Sequence, residues 1–377
     1  MNRIKELQET LQNLIINGKY GSSGSTFLTV REFAKRFKCS SRDAMRIYEF
    51  LRSEGLLRLL GGRYYISTGF CSSCSAMGRA LGRRCRPIYG VLVSNINNPF
   101  FSSIIHQLQQ IASVRGIQLI ISDGGGDLQR EQDIMDTFLD LGCSGVFNCA
   151  SLSFRQQQYF SRYPLPLVNI AEDVRLPNAD LVLVDNEAAG TMAANHLIDC
   201  QCRSFFYLAL DDCVDADPRF DGYYRQLLKK GVTISSQNIG VISNAGGNFD
   251  SVGVRNFVNG VLRRAEKDPS LLPIGLFCHH DMLAVEALRV VKSFSSVKAG
   301  SLTVPNDVRI MGFDDLPIAS SVSPTITTIA YLYSDIAKTA LDCMMAYETT
   351  PQYQPGIHEV QSSLVVREST ALISSCR

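Results

Sequence analysis

Residues 273–291, PIGLFCHHDMLAVEALRVV, join a short apolar run to a helical pattern, and that pairing decides the fold. PIGLFC has the length of a strand buried on both faces. MLAVEALRVV reads as the helix after it, and Asp281 is suited to cap its start. The same alternation extends in both directions. Upstream, IYGVLVS precedes a helix from about Phe100 to Arg115, IQLIIS precedes one from about Leu128 to Leu141, and SGVFNCAS, LPLVNI, LVLVD, SFFYLAL and IGVIS follow; downstream stands VRIMGF. Apolar strands alternating with helices define an α/β fold of doubly wound parallel sheets. About a dozen strand candidates are too many for one sheet, so two lobes are expected. Ligands bind outside the carboxyl ends of such strands, which makes the ground between two lobes the natural site.

The amino-terminal quarter follows a different rule. Ile4, Leu7, Leu11, Leu14 and Ile15 recur at helical spacing within residues 3–16, and Gly18 ends the pattern. Thr29 can cap a second helix burying Val30, Phe33, Ala34 and Phe37, and Ser40 or Ser41 a third burying Ala44, Ile47 and Leu51. The short turn KCSS between them gives a helix-turn-helix, with Arg42 and Arg46 on the solvent side of the later helix. EGLLRLLGGRYYIS then reads as strand, Gly-Gly turn and strand, a wing. Residues 69–86, rich in Gly, Ser and Arg, form the expected linker. Expected boundaries are therefore 1–68 for the small domain, 69–86 for the linker and 87–377 for the two-lobed domain. Its first lobe takes about 87–184 and 330–358, the second about 185–329 and 359–372.

Charge separates along the same line. Residues 1–86 carry 16 Lys+Arg against 6 Asp+Glu, leaving 21 against 30 in the rest of a chain whose net charge is +1. A basic module attached to an acidic remainder is the footprint of phosphate neutralisation, so double-stranded DNA is the expected partner. No stretch is long and apolar enough to cross a membrane, and MNRIKELQET lacks a signal peptide's apolar core; a cytoplasmic protein without a membrane partner is expected. The 12 cysteines do not recur at disulfide-framework spacing and are expected to be mostly buried thiols. Cys71, Cys74 and Cys85 fall short of the four ligands of a structural zinc site, and a redox role or an inert linker remains open for them.

Several residues could carry chemistry. Arg219, opening RFDGYY, could hold hydroxyls or a carboxylate through two parallel hydrogen bonds, or be an exposed arginine at a helix start. Asp314 and Asp315 follow VRIMGF, at the carboxyl end of a strand, where a carboxylate can accept from sugar hydroxyls or cap a turn. His279, His280 and Asp281 suggest a metal or acid-base site, but consecutive residues point in different directions, so no metal is assigned. Phe100 can wall a sugar ring or pack a helix start, and Ser151 is a weaker candidate of the same kind. GGGD at 124–127 lacks a phosphate loop's G-K-S/T ending and reads as an ordinary loop. No nucleophile-and-base signature, Walker loop or metal helix is present, so neither catalysis nor a cofactor is expected.

Residues 3–67 resemble the winged helix-turn-helix of the GntR family, through NGKY at the end of the first helix, TVREFA, LRSEGLL and the wing RLLGGRYYIS. The resemblance implies DNA contacts at Arg31, Arg42, Arg46, Gly62 and Arg63. Arg42 stands one residue beyond the family's usual position, which Ser41 occupies here. Residues 87–372 resemble the LacI/GalR sensor domain, itself similar to periplasmic sugar-binding proteins. The matching segments, in order, are IYGVLVSNINNPFFSSII, SGVFNCAS, LVDNEAAGTMAANHLI, RFDGYYRQLL, PIGLFCHHDMLAVEALRVV, VRIMGFDDLPIASSVSPTITTI and LVVREST. This resemblance implies effector contacts at Phe100, Ser151, Arg219, His280 and Asp314. His280 stands where the family has Asn, and Ala171 where it has a polar residue, with Glu172 beside it. The expectation is a homodimeric repressor whose operator affinity is set by a small effector, a sugar by resemblance. A sugar-processing enzyme or a sugar-binding protein without DNA function is the competing reading on the same fold.

Overall fold

The computed structural model describes residues 2–16, 19–21, 25–54, 56–60, 62–66, 87–150, 154–171, 173, 175–210, 217–245, 248–294, 302–350 and 353–371. The expected linker, Gly18, Ser151, Glu172, Cys71, Cys74 and Cys85 lie outside these residues.

The amino-terminal segment builds helices α1 (Asn2–Ile16), α2 (Val30–Arg36) and α3 (Ser41–Ser53) and an antiparallel hairpin of β1 (Leu57–Leu60) and β2 (Arg63–Ile66). Thr29 and Glu32 close a capping box at the start of α2, and the Ser40 hydroxyl accepts from Asp43 N at the start of α3. Leu11, Ile15, Phe33, Ala44, Ile47 and Leu51 are fully buried in one core. At its centre stands Tyr48, which periodicity did not single out. Its ring lies 5.1 Å from Phe33, 5.6 Å from Phe27 and 4.5 Å from Tyr64, and its hydroxyl donates to Leu28 O at 2.6 Å. That bond meets the polar cost of burying a tyrosine.

Contact clustering divides the chain into two compact units. One holds Met1–Asn97, Phe101–Leu183 and Ser334–His358; the other holds Asn98–Phe100, Val184–Tyr333 and Glu359–Arg377. In the first, β3 (Ile88–Val93), α4 (Pro99–Val114), β4 (Gln118–Asp123), α5 (Leu128–Asp140), β5 (Val146–Cys149), α6 (Phe154–Phe160), β6 (Leu167–Ile170) and β7 (Ala179–Val184) alternate. Strands β3 to β7 pair in parallel, and β15 (Ile357–Val360) completes the order β15-β7-β6-β5-β3-β4. Asp127 caps α5 by accepting from Arg130 N, so the GGGD segment is a strand-to-helix turn.

In the second unit, α7 (Asn186–Asp199) leads to β8 (Ser204–Leu210), α8 (Pro218–Lys229), β9 (Ile239–Ile242) and a small hairpin of β10 (Asn244–Ala245) and β11 (Asn248–Phe249). Then come α9 (Ser251–Lys267), β12 (Ile274–Cys278), α10 (Asp281–Ser293), β13 (Val308–Asp314), α11 (Pro317–Ser321) and β14 (Thr327–Ala330); the chain returns to the first unit with α12 (Tyr333–Thr349), and after β15 it supplies β16 (Ser363–Val365) to the second. The sheet order is β16-β14-β13-β12-β8-β9, with only β16 antiparallel. Every residue of β8, β12 and β13 is buried, as layering on both faces requires. The two parallel sheets agree with the α/β architecture read from the alternation.

Helices α7 and α8 touch through glycine. A Cβ on Gly190 would lie 2.0 Å from the Arg219 carbonyl oxygen, and one on Gly222 would lie 2.0 Å from that of Glu187. Neither backbone can yield without moving the other helix. Gly190→Val is therefore expected to lower unfolding free energy by about 1–3 kcal/mol, measured by urea titration; an unchanged midpoint would contradict so tight a crossing.

Candidate functional site

In the second sheet, β8 is followed in sequence by β9 on one side but lies beside β12 on the other, so the winding direction reverses between β8 and β12. A crevice opens outside the carboxyl ends of strands at such a reversal. The side chains gathered there come from the starts of α7, α8 and α10 and the ends of β13 and β14.

Arg219 is the hub. Asp217 caps α8 by accepting from the backbone N–H of Arg219 and Phe220, with Pro218 in the first helical position. The Arg219 guanidinium donates through Nε to Asn186 Oδ1 at 2.9 Å and through Nη1 to His279 O at 2.7 Å. Its central carbon sits 3.7 Å from the centroid of Phe313, a cation–π contact. Burial opposes its charge, but Asp314 and the neighbouring Tyr331, Tyr207 and Asp217 hold its pKa above the ordinary arginine value. Held on both edges and one face, it is a positioned cation and not a free surface arginine.

Asp314 ends β13, 5% exposed and with φ of 105°, a conformation that non-glycine residues rarely adopt. Burial pushes its carboxyl well above the usual range; Arg219 pulls the other way without cancelling it, and Asp281 adds to the rise. Such strain persists only where surroundings enforce it, and it clusters at functional sites. Beside this pair, Phe100 meets Tyr331 edge-on at 5.0 Å and Tyr333 at 6.0 Å, and Tyr331 lies 5.8 Å from Phe313. The Tyr333 hydroxyl is buried without a hydrogen-bond partner among the described residues.

The His-His-Asp run divides into three jobs. His279 Nδ1 and Tyr207 Oη both meet Asp217 Oδ2, at 3.2 and 2.6 Å. Burial alone would raise the Asp217 pKa, but the bonds and charge supplied by His279 and the bond from Tyr207 outweigh it and bring it down to about 2. His280, not the expected Asp281, caps α10: its backbone is extended and Nδ1 accepts from Leu283 N at 3.2 Å. Burial, His279 and Arg219 push the His280 imidazole down to about 3, so it is neutral near pH 7. With Nδ1 accepting, the proton stands on Nε2 as a free donor. Asp281 is one residue inside the helix and fully buried. It accepts from Thr328 Oγ1 and Leu316 N, both at 2.7 Å, and burial exceeds these bonds to push its carboxyl up to about 7. It thus ties α10 to β14 and to the turn after β13. Asp315 pairs with Arg367 at 2.5 Å, so it fixes the turn through an ion pair with the VREST segment.

The structure brings Phe100, Arg219, His280 and Asp314 together in one unit; Ser151 is outside the described residues. Asp217, Asn186, Tyr207, His279, Tyr331 and Tyr333 belong to the same cluster, and sequence reasoning missed them or gave them no binding role. The Asp-Pro pair at 217–218 was the one local signal, since it marks a capped helix start. In the first unit, Asn148 and Asn169 end neighbouring strands and bond to each other at 3.0 Å, and Ala171 has φ of 72°. Of the DNA candidates, Arg31 begins α2, Arg42 and Arg46 lie on α3, and Gly62 (φ 77°) and Arg63 form the hairpin tip; all five are exposed.

Comparisons fit this α/β geometry. Residues 194–370 match the model of a periplasmic binding protein-like domain. The chain is 24% identical over 298 residues to the HTH-type transcriptional repressor PurR of Aliivibrio salmonicida, covering 78% of this chain and 85% of the relative. To the ribose operon repressor of Haemophilus influenzae it is 27% identical over 297 residues, covering 78% and 84%. The structure of the transcription regulator CcpA of Lactococcus lactis superposes with a TM-score of 0.63 at 20% identity, over 76% of this chain and all of that one. A LacI family transcriptional regulator of Enterococcus faecium with bound ribose gives 0.60 at 19% identity, over 75% and 98%. Together these matches give the second half of the chain a periplasmic-binding-protein-like α/β fold. The relatives named here are transcriptional repressors.

Asp217 supplies a pH test. Its folded pKa is depressed below the ordinary carboxylate value, so its contribution is full above that value and is lost as pH falls toward about 2. Asn retains the cap. The stability difference between wild type and Asp217→Asn is expected to shrink by about 2 kcal/mol between roughly pH 5 and pH 2, read from urea midpoints; a pH-independent difference would remove the ionic account.

Proposed function

We propose that this chain is a transcriptional repressor that binds operator DNA through residues 1–68 and senses a small polyhydroxylated effector, a sugar, through residues 87–377. The observation that carries the sensing half is the convergence of Arg219, Asp314, His280 and Phe100 at the strand ends of one sheet. A fixed cation, a carboxyl, a neutral N–H donor and aromatic faces are what a sugar ring with hydroxyls on its edge and C–H groups on its face requires. Ser151 is carried as a further contact by the resemblance. The bound ribose of the Enterococcus faecium regulator supports a sugar over other small molecules.

For the reading half, three helices followed by an antiparallel hairpin support a winged helix-turn-helix of the GntR kind. Arg42 and Arg46 on α3 meet the major groove and its flanking phosphates, Arg31 adds a phosphate contact, and Gly62 with Arg63 carries the wing to the backbone. Joined to a LacI-like sensor, this reader gives an arrangement that resembles arabinose-responsive repressors. A homodimer presents two readers to paired half-sites, and effector binding changes their fit to the operator. No catalytic step, cofactor or membrane contact enters this reading.

A thermal-shift screen of monosaccharides, sugar acids and nucleosides on the full chain is expected to raise Tm for a sugar without turnover; turnover of any hit would instead favour the enzyme reading. Selection of duplexes from a random pool is expected to return a paired half-site, with affinity falling steeply as salt rises. Arg42→Ala should weaken the selected duplex by about 1–3 kcal/mol if it reads a base, and Arg63→Ala should weaken all duplexes alike and flatten the salt slope. A salt-independent affinity would count against phosphate recognition.

A further inference from the structure

Away from the Arg219 cluster, in the first unit, three unlike donors meet: the carboxylate of Asp180 on β7, the thiol of Cys343 on α12 and the imidazole of His358 on β15. We propose that Asp180, Cys343 and His358 form a binding site for a divalent transition-metal ion of borderline softness, zinc being the one their donor set suits.

Each residue offers one ligand atom, and the three atoms lie within 4.8 Å of one another. A tetrahedral zinc with bonds of about 2.0–2.3 Å holds its ligand atoms roughly 3.5 Å apart, so small side-chain adjustments would close the shell. The carboxylate has capacity to spare. Asp180 is fully buried, and its Oδ1 accepts from Tyr353 Oη at 3.0 Å, Gly356 N at 2.9 Å and His358 Nε2 at 2.8 Å. Its Oδ2 is buried and lies close to the Tyr347 hydroxyl, which interacts with the carboxylate. Burying a carboxylate is costly unless its charge is offset, and a cation offsets it directly.

The donor set also selects the metal. Thiolate and imidazole disfavour magnesium and calcium, and the carboxylate moves the preference away from the softest ions. One carboxylate, one thiolate and one neutral imidazole balance a divalent charge. Burial pushes the Cys343 thiol up to about 12, so the free chain holds it protonated; as the sulfur–metal bond forms, its proton leaves to solvent, and the His358 N–H proton moves to the ring's other nitrogen. His358 is 34% exposed in its side chain, which gives the ion an entry path and leaves a fourth position for water. Tyr353, bonded to Asp180 and facing Cys343, supports the shell from behind. Bound metal would join α12 and β15, which follow each other in the chain, to β7, which is distant in sequence.

The test uses Co²⁺ on the reduced full chain, followed by the thiolate-to-cobalt charge-transfer band, with bound Zn²⁺ counted after dialysis. The linker cysteines could bind metal on their own, so a Cys71→Ser/Cys74→Ser chain serves as background. In that background one equivalent with the thiolate band is expected; Cys343→Ser should abolish the band, and His358→Ala should weaken binding at least about tenfold. Because His358 is partly exposed, its variant remains informative even if Cys343→Ser does not fold. No thiolate band in the background chain, a full band in Cys343→Ser, or unchanged affinity in His358→Ala would each overturn the proposal.

Discussion

The second unit is organised around a single side chain: the Arg219 guanidinium is charged, partly buried and held by Asn186, the His279 carbonyl and the face of Phe313. Its position depends on Gly190 and Gly222, which let α7 and α8 approach until backbone meets backbone. It depends equally on Asp217, which caps α8 and couples its start to His279 beyond β12 and to Tyr207 on β8. Helix crossing, helix cap and strand ends therefore converge on one cation. Its field in turn pulls against the burial that raises the pKa of the Asp314 carboxyl. A ligand that hydrogen-bonds either group meets a site already organised, so little of its binding free energy is lost to ordering side chains.

Much of this could be read in the sequence. Fully buried parallel strands leave continuous apolar runs, so SFFYLAL, PIGLFC and VRIMGF declared themselves, and Thr29 and Ser40 marked the starts of α2 and α3. Local pattern failed where a tertiary contact decided the outcome. Asp281 is the better capping residue by type, yet its carboxylate is recruited by Thr328, distant in sequence, which leaves the cap to His280. Tyr207 looks like any apolar strand residue until α8 brings Asp217 to its hydroxyl. Tyr331 and Tyr333 follow β14 without a motif, and only the fold sets them beside Phe100. Arg219 itself was ambiguous from chemistry, and the family resemblance, not spacing, made it a candidate.

The amino-terminal domain obeys a different economy. Its small core is organised around Tyr48 and its aromatic neighbours, so the basic residues are left to the surface. Arg42 and Arg46 lie on α3 opposite the face that buries Ala44, Ile47 and Leu51, and Arg63 stands at the hairpin tip. Charge segregation along the sequence thus becomes exposed charge on a compact domain, the form in which it can meet phosphates. The second unit buries Arg219 near Asp314 and Asp217 against His279, whereas Arg31, Arg42, Arg46 and Arg63 are exposed.

Coupling between the two halves is the central claim, and thermodynamic linkage makes it measurable. The decisive measurement is the affinity of the selected duplex, by fluorescence anisotropy, with and without saturating sugar, for wild type and Arg219→Ala. The account predicts a shift of about 5–150-fold in wild type that vanishes in the variant, while the variant's affinity without sugar stays at the wild-type value. An undiminished sugar response in Arg219→Ala, or an equal loss of DNA binding without sugar, would contradict it.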